Sequence, residues 1–314
     1  MAKDARLVRD PHQKEIVKLF SAFDGSKNRR KIFEDFITVS ACAVSNLLDT
    51  VHYEEREKRY LDTIRQYKRN EIDVFAKMYG QIELGVEEKP DQDFLGEMYM
   101  ALDFGSAAAG QFFTPYSVCQ CMAAINTDYD RLNAQIADQG FVGVMDPACG
   151  AGALLVAFAN ECEKAGINYH RSVLFVAQDV DYIVGMMCYL ALSCMGCAGI
   201  VCIGDSLINP VTFYDSRGLL PVDTESRIWY TPQFLMAPEW AGRQIAARMD
   251  LSLRSDKSQQ KKETVTVAAP GPLQPASVAE AVCTPVVISP EPEEPLEVEE
   301  TAYGENGTGQ LMFF

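Results

Sequence analysis

Apolar positions in the first hundred residues recur three and four apart: Ile32, Phe33, Phe36 and Ile37, then Ala41, Val44, Leu47 and Leu48. That spacing lines one face of an α-helix, so residues 1–100 are read as a helical N-terminal region. Tyr53 to Lys77 is also helical in pattern, with acids and bases alternating along solvated faces. The pattern changes after residue 100. Phe141-Val142-Gly143-Val144-Met145 is a short apolar run closed by Asp-Pro, which predicts a buried strand. Ala153–Lys164 reads as a helix, Ser172–Ala177 as a second strand, Tyr182–Met195 as a second helix and Gly199–Ile203 as a third strand. Alternation of this kind implies parallel strands joined by right-handed crossovers, the α/β class.

Beyond Ile203 the pattern loosens. Arg227-Ile228-Trp229-Tyr230 predicts a fourth strand, and Trp240–Met249 a closing helix. Residues 251–308 are rich in Glu, Val, Ser and Ala and hold Pro270, Pro272, Pro275, Pro285, Pro290, Pro292 and Pro295. Such sequence cannot pack a core and is read as a disordered linker. The last six residues, Gly309-Gln310-Leu311-Met312-Phe313-Phe314, turn apolar again. The expected organisation is therefore a helical region over 1–100, an α/β domain over 101–250, a linker over 251–308 and a terminal peptide over 309–314.

Composition fits a globular chain, with 48% hydrophobic and 23% charged residues. No apolar run approaches the roughly 18 residues of a membrane span, and Met1-Ala2-Lys3-Asp4 does not open a signal peptide. A cytoplasmic protein without a membrane partner is expected. The net charge of −16 argues against holding duplex DNA by wholesale phosphate neutralisation. Local basic patches survive at Lys27-Asn28-Arg29-Arg30-Lys31 and from Arg56 through Arg69, and DNA contact is expected there. Surface salt bridging is the competing reading of the second stretch. Ten cysteines lie among apolar residues. Cys194-Met195-Gly196-Cys197 and Cys202 lack the further ligands of a zinc site, so reduced core thiols and no metal are expected.

The chemistry concentrates between the first strand and the helix after it, in Asp146-Pro147-Ala148-Cys149-Gly150-Ala151-Gly152. Glycines there allow tight turns and close approach of a ligand to the backbone. The helix start beyond them points free N–H groups at an anion. The G-x-G-x-x-G pattern of dinucleotide sites is absent. The loop resembles the S-adenosylmethionine (SAM) motif of N6-adenine DNA methyltransferases, in particular the modification subunits of type I restriction-modification systems. Gly110-Gln111-Phe112-Phe113-Thr114-Pro115 is similar to that family's other cofactor motif, and Phe94-Leu95-Gly96-Glu97-Met98-Tyr99 to its helical lead-in.

The resemblance spans roughly residues 90–207 and implies a Rossmann-like SAM-dependent methyltransferase domain. It implies that Gln111, Phe112, Phe113, Thr114 and Pro115 fold over the methionine end of SAM, held below by Asp146, Ala148, Gly150 and Gly152. Asp179, with Asp181 as its neighbour, matches the acid that accepts from the ribose hydroxyls, and Asp205 the one that accepts from the cofactor's adenine amine. Capping of loops or helices is the alternative for both acids. The implied activity is site-specific N6-adenine methylation of a base flipped out of DNA.

The acceptor motif departs from the family pattern. No Asn/Asp/Ser-Pro-Pro-Tyr/Phe follows the expected fourth strand, and Asn209-Pro210 comes too soon after Asp205 for another crossover. Thr231-Pro232-Gln233-Phe234 is the better-placed substitute, with Thr231 as acceptor, Pro232 stiffening the turn and Phe234 stacking on the base; a simple strand-ending turn is the alternative. Only a short stretch remains before the linker, so the sheet is expected to be truncated after its fourth strand. A specificity or other partner subunit would complete it, or the protein would act without catalysis through partners. The terminal Gln310–Phe314 resembles the bacterial sliding-clamp binding peptide, with docking onto its own domain as the alternative.

Overall fold

The computed structural model describes residues 8–104, 113–221, 227–263, 304–305 and 311–312, and of 253–263, 304–305 and 311–312 the backbone alone. Helices occupy the N-terminal third: α1 (Pro11–Leu19), a short 3-10 turn (Phe20–Ala22), α2 (Arg29–Asn46), α3 (Tyr53–Ile64), α4 (Arg69–Glu88) and α5 (Phe94–Ala101). Polar caps start several of them. The Asp10 carboxylate accepts from the His12 and Gln13 amides at 2.8 and 3.1 Å, with Pro11 in the first turn of α1. Asn28 caps α2 and Asp93 caps α5. Phe20, Phe33, Tyr99 and Phe104 form an aromatic knot beneath them, with ring centroids 5.3–6.4 Å apart.

Two helices, α6 (Tyr116–Asn126) and α7 (Tyr129–Gln139), lead into the sheet, α7 ending at Gly140 with φ of 80°. Then follow β1 (Val142–Asp146), α8 (Ala153–Lys164), α9 (Tyr169–Ser172), β2 (Val173–Asp179), α10 (Tyr182–Cys194), β3 (Gly199–Ile203) and β4 (Ile228–Tyr230). After them come α11 (Pro232–Met236), α12 (Pro238–Glu263), β5 (Gly304–Glu305) and β6 (Leu311–Met312). The sheet order is β4-β3-β2-β1-β6-β5. β1, β2 and β3 are parallel, as the alternating pattern predicts. Their residues alternate between two faces. Val144, Phe175 and Val201 join the core under α8, α10 and the N-terminal helices, while Met145, Val176, Ile200 and Cys202 join a second core with Phe234 and Trp240.

Three features differ from the sequence expectation. The fourth strand forms but runs antiparallel to β3, pairing Ile200 with Tyr230 and Cys202 with Ile228. The closing helix continues past Met249 to Glu263, through the start of the expected linker. Leu311 and Met312 pair in parallel with Val144 and Met145, so these two residues of the terminal peptide lie on the outer edge of β1. Gln310, Phe313, Phe314 and residues 264–303 lie outside the described residues.

The chain divides into two units, Met1–Ala247 with Ala302–Phe314, and Arg248–Thr301. Within the first, buried Arg56 ties the helical region to the sheet. Its guanidinium donates to Ser45, to Asp49 and to the Ile228 carbonyl, and lies 4.0 Å from the Trp229 ring centroid.

Candidate cofactor site

β1 delivers Asp146 to the end of the sheet, and the chain reverses through residues 147–152 into α8. Gly150 and Gly152 take φ of 54° and 91°, a region that side chains resist. A Cβ at Gly152 would also sit 2.9 Å from Cys188 Sγ, so this turn accepts glycine alone. The loop is fastened to β2: the Cys149 amide donates to the Gln178 carbonyl (3.0 Å) and the Gly150 amide to Asp179 Oδ2 (2.9 Å). Phe113 lies over Gly150, where a Cβ would meet its ring at 3.6 Å, and stacks on Tyr99 at 5.7 Å. Beneath is a cavity of about 220 Å³ lined by Phe113, Thr114, Asp146, Pro147, Ala148 and Gly150, among others.

The acids at the strand ends differ in setting. Asp146 is buried, and its Oδ1 accepts from the Ala148 amide at 3.1 Å. Burial pushes its carboxyl up to about 6, with the nearby charge of Asp179 adding to the rise. Asp179 is also raised by burial; its two oxygens accept from the Asp181 and Gly150 amides, both at 2.9 Å. Asp181 caps α10 through the Ile183 and Val184 amides. Asp205 is exposed, and its Oδ1 accepts from the Leu207 and Ile208 amides at 2.8 and 3.2 Å. Asp146, Asp179 and Asp205 thus close three successive parallel strands, and all three hold local backbone. Of the second cofactor motif, Phe113, Thr114 and Pro115 stand at the start of α6, while Gln111 and Phe112 lie outside the described residues.

The proposed acceptor group is a correction. Because β4 runs antiparallel, Thr231 falls at the N-terminal end of β3, opposite the cofactor loop. It is fully buried: Oγ1 donates to the Cys197 carbonyl (2.7 Å) and accepts from the Gly199 amide (2.8 Å). Phe234 is buried against Tyr230 and Trp240, and half-buried Pro232 opens α11. Thr231, Pro232 and Phe234 therefore pack the base of the sheet and meet no part of the cavity.

What reaches the cofactor end instead is the segment dismissed on spacing. Gln178, fully buried on β2, donates to the Gly204 and Asn209 carbonyls and accepts from the Val211 amide. Thr212 Oγ1 lies 3.6 Å from Met145 Sδ on β1. Residues 204–212 therefore fold back over β2 to β1 with no further crossover. Exposed Asn209 makes no side-chain hydrogen bond to a described residue, and Phe213 and Tyr214 stand 72% and 67% exposed with their rings at 4.8 Å. A polar Gln in an otherwise apolar strand marks in the sequence that β2 has a polar partner, without naming this loop.

The basic stretches are engaged internally. Lys27 pairs with Glu71, Arg30 with Glu34 and Lys31 with Asp35. Lys58 and Arg65 share Asp62, and Arg59 meets Glu55. These pairs favour salt bridging over a DNA-binding patch. Among the described residues no cluster of His, Cys, Asp or Glu could hold a metal, and no helix is long and apolar enough to cross a membrane.

A glycine-turned loop between a parallel strand and a helix, with acids closing the neighbouring strands, defines a Rossmann-like cofactor domain. Residues 90–216 match the family of N-6 DNA methylases, and that match implies S-adenosylmethionine as the methyl donor. Among solved structures, the chain is similar to a Listeria monocytogenes protein provisionally assigned to the class I S-adenosylmethionine-dependent methyltransferases. The two are 16% identical, over 68% of this chain and 70% of that one, with a TM-score of 0.31. No curated protein matches the chain.

Proposed function

We propose that this protein binds SAM in the Asp146–Gly152 loop and transfers its methyl group to the N6 amine of adenine in DNA. The observation that carries the reading is the cavity under Phe113 and Thr114, floored by that loop, within the segment that matches the N-6 DNA methylases. The cavity accepts an amino-acid-sized group, and the start of α8 offers amides to a carboxylate. Asp179 and Asp205 each keep acceptor capacity beyond their present backbone bonds and would receive the ribose hydroxyls and the cofactor's purine amine. SAM, when bound, supplies an electrophilic methyl group.

The acceptor side is assigned to Asn209 and the exposed pair Phe213 and Tyr214. An Asn side-chain oxygen can accept from an adenine amine, and an aromatic face can stack on a flipped base. The loop's bonds to Gln178 hold Asn209 above the strand ends. DNA is then the substrate, met in the cytoplasm, with sequence reading left to a specificity subunit or other partner chain.

One observation favours a second reading, cofactor binding without transfer. Among the described residues the outer edge of β1 carries only the two-residue β6, Leu311 and Met312, which brings no acceptor motif beside the cofactor loop. A calorimetric SAM titration followed by methyl-label transfer to unmodified genomic DNA separates the readings. Binding with transfer that fails in Asn209→Ala supports the first. Binding without transfer supports the second, and no binding sinks both.

A further inference from the structure

The same cavity has a second acidic wall. Asp93, the residue before α5, is 5% exposed and lines the space opposite the cofactor loop's Asp146, itself 8% exposed. Its Oδ1 caps α5 by accepting from the Gly96 amide at 2.9 Å. Oδ2 accepts no hydrogen bond from a described residue. Gly96 makes room for this: a Cβ there would run into both carboxylate oxygens. Asp146 likewise uses Oδ1 on a backbone amide and has no hydrogen bond to Oδ2 among the described residues.

Neither carboxylate pairs with a Lys, Arg or His among the described residues. Among the described residues, the one charged neighbour bearing on Asp93 is Glu97, of like sign, and on Asp146 it is Asp179. Burying two carboxylates without a counter-charge is costly, and a cation in the cavity removes that cost. At about 220 Å³ the space is sized for one end of a cofactor, not the whole. The amide-rich start of α8 suits the carboxylate of an amino acid, and the buried Asp93 suits its ammonium group.

We infer that Asp93 binds the α-ammonium group of the cofactor's amino-acid end through its spare oxygen. The inference rests on the reading of the cavity as a SAM site. It adds a residue outside both glycine-loop and strand-end positions, and gives the lead-in to α5 a part in recognition. An ammonium donating to a buried carboxylate makes a charge-assisted hydrogen bond, the stronger kind.

The test is calorimetric titration of the full chain with SAM and with its deaminated counterpart, which lacks only the α-ammonium. Asp93→Asn keeps the cap, because Asn and Asp serve equally there, and removes the charge. The wild type is expected to prefer SAM over the deaminated ligand by roughly tenfold to a hundredfold, the range of one or two charged hydrogen bonds. In Asp93→Asn that preference collapses toward unity while thermal stability is retained. If the variant binds SAM as tightly as the wild type, or loses both ligands equally, the inference is overturned and the SAM reading stands. If the wild type binds neither ligand, the SAM reading fails and takes the inference with it.

Discussion

The Gly150 amide and the Asp179 carboxylate meet at 2.9 Å, fastening the turn after β1 to the end of β2. The acid expected to grip a ribose is thus also the acid that shapes the loop beneath the amino-acid end. The two halves of the cofactor site are mechanically joined. Asp179→Ala should therefore lower SAM affinity by more than a lost ribose contact, and should cost the free protein about 1–3 kcal/mol through the unpaired Gly150 amide. Denaturant melts and SAM titrations of the same variant check both effects. Full stability in the variant would show that the loop holds itself.

On the proposed reading, Thr231 and Asn209 exchange the roles that sequence spacing suggests. Thr231→Val keeps volume but strips the Gly199 amide and Cys197 carbonyl of their partner. It should destabilise by about 1–3 kcal/mol and leave cofactor affinity unchanged. Asn209→Ala touches no packed group and should leave the melting temperature within error while abolishing methyl transfer. Transfer that survives Asn209→Ala and fails in Thr231→Val, at matched folded fractions, would reverse this assignment.

Much of the cofactor half is legible in the chain because local signals agree. Apolar runs at 142–146, 173–179 and 199–203 give parallel strands, and two glycines with positive φ mark the turn that only glycine can make. The direction of Ile228–Tyr230 is not encoded locally. A three-residue apolar strand pairs either way, and its partner is chosen by Arg56 and Trp229, far apart in sequence. The return of residues 204–212 to β1 hangs on Gln178, whose significance appears only when its three backbone partners are in place. Asp93 reads as an ordinary helix cap, and sequence spacing does not tell that its other oxygen borders a cavity.

Arg56 should be the most sensitive single position for the union of helices and sheet. It is 2% exposed, paired with Asp49 and roofed by Trp229. Arg56→Ala leaves Asp49 buried without its guanidinium partner and removes the Arg56 donor from the Ile228 carbonyl, at a cost of about 3–5 kcal/mol. Urea melts measure it. A loss under about 1 kcal/mol would mean that Asp49 recovers water or relies on His52, which lies 2.8 Å away.

Leu311 and Met312 cannot pair with β1 and with a sliding clamp at once. If the β1 pairing persists in solution, deleting residues 304–314 lowers the melting temperature, and a free peptide of residues 309–314 captures the clamp better than the intact chain does. Equal capture by both, with no thermal change on deletion, would favour a tail that leaves the sheet.

The buried acids set a pH dependence whose sign follows from their shifts. Asp93 is pushed up to about 7 and Asp146 to about 6, both from an unfolded value of 3.8, so the folded chain binds protons more tightly than the unfolded one. Their contribution is full below the unfolded value and is lost as pH rises through the folded values, so the ligand-free protein should weaken from about pH 4 to about pH 8. Over the same window the ionised pair becomes a better cation site, and stabilisation by SAM should grow. Asp93→Asn removes the larger shift, so its melting temperature should gain on the wild type as pH rises. A constant difference between the two proteins across that range would mean that Asp93 stays charged in the cavity without a ligand, and the account of its burial would have to be abandoned.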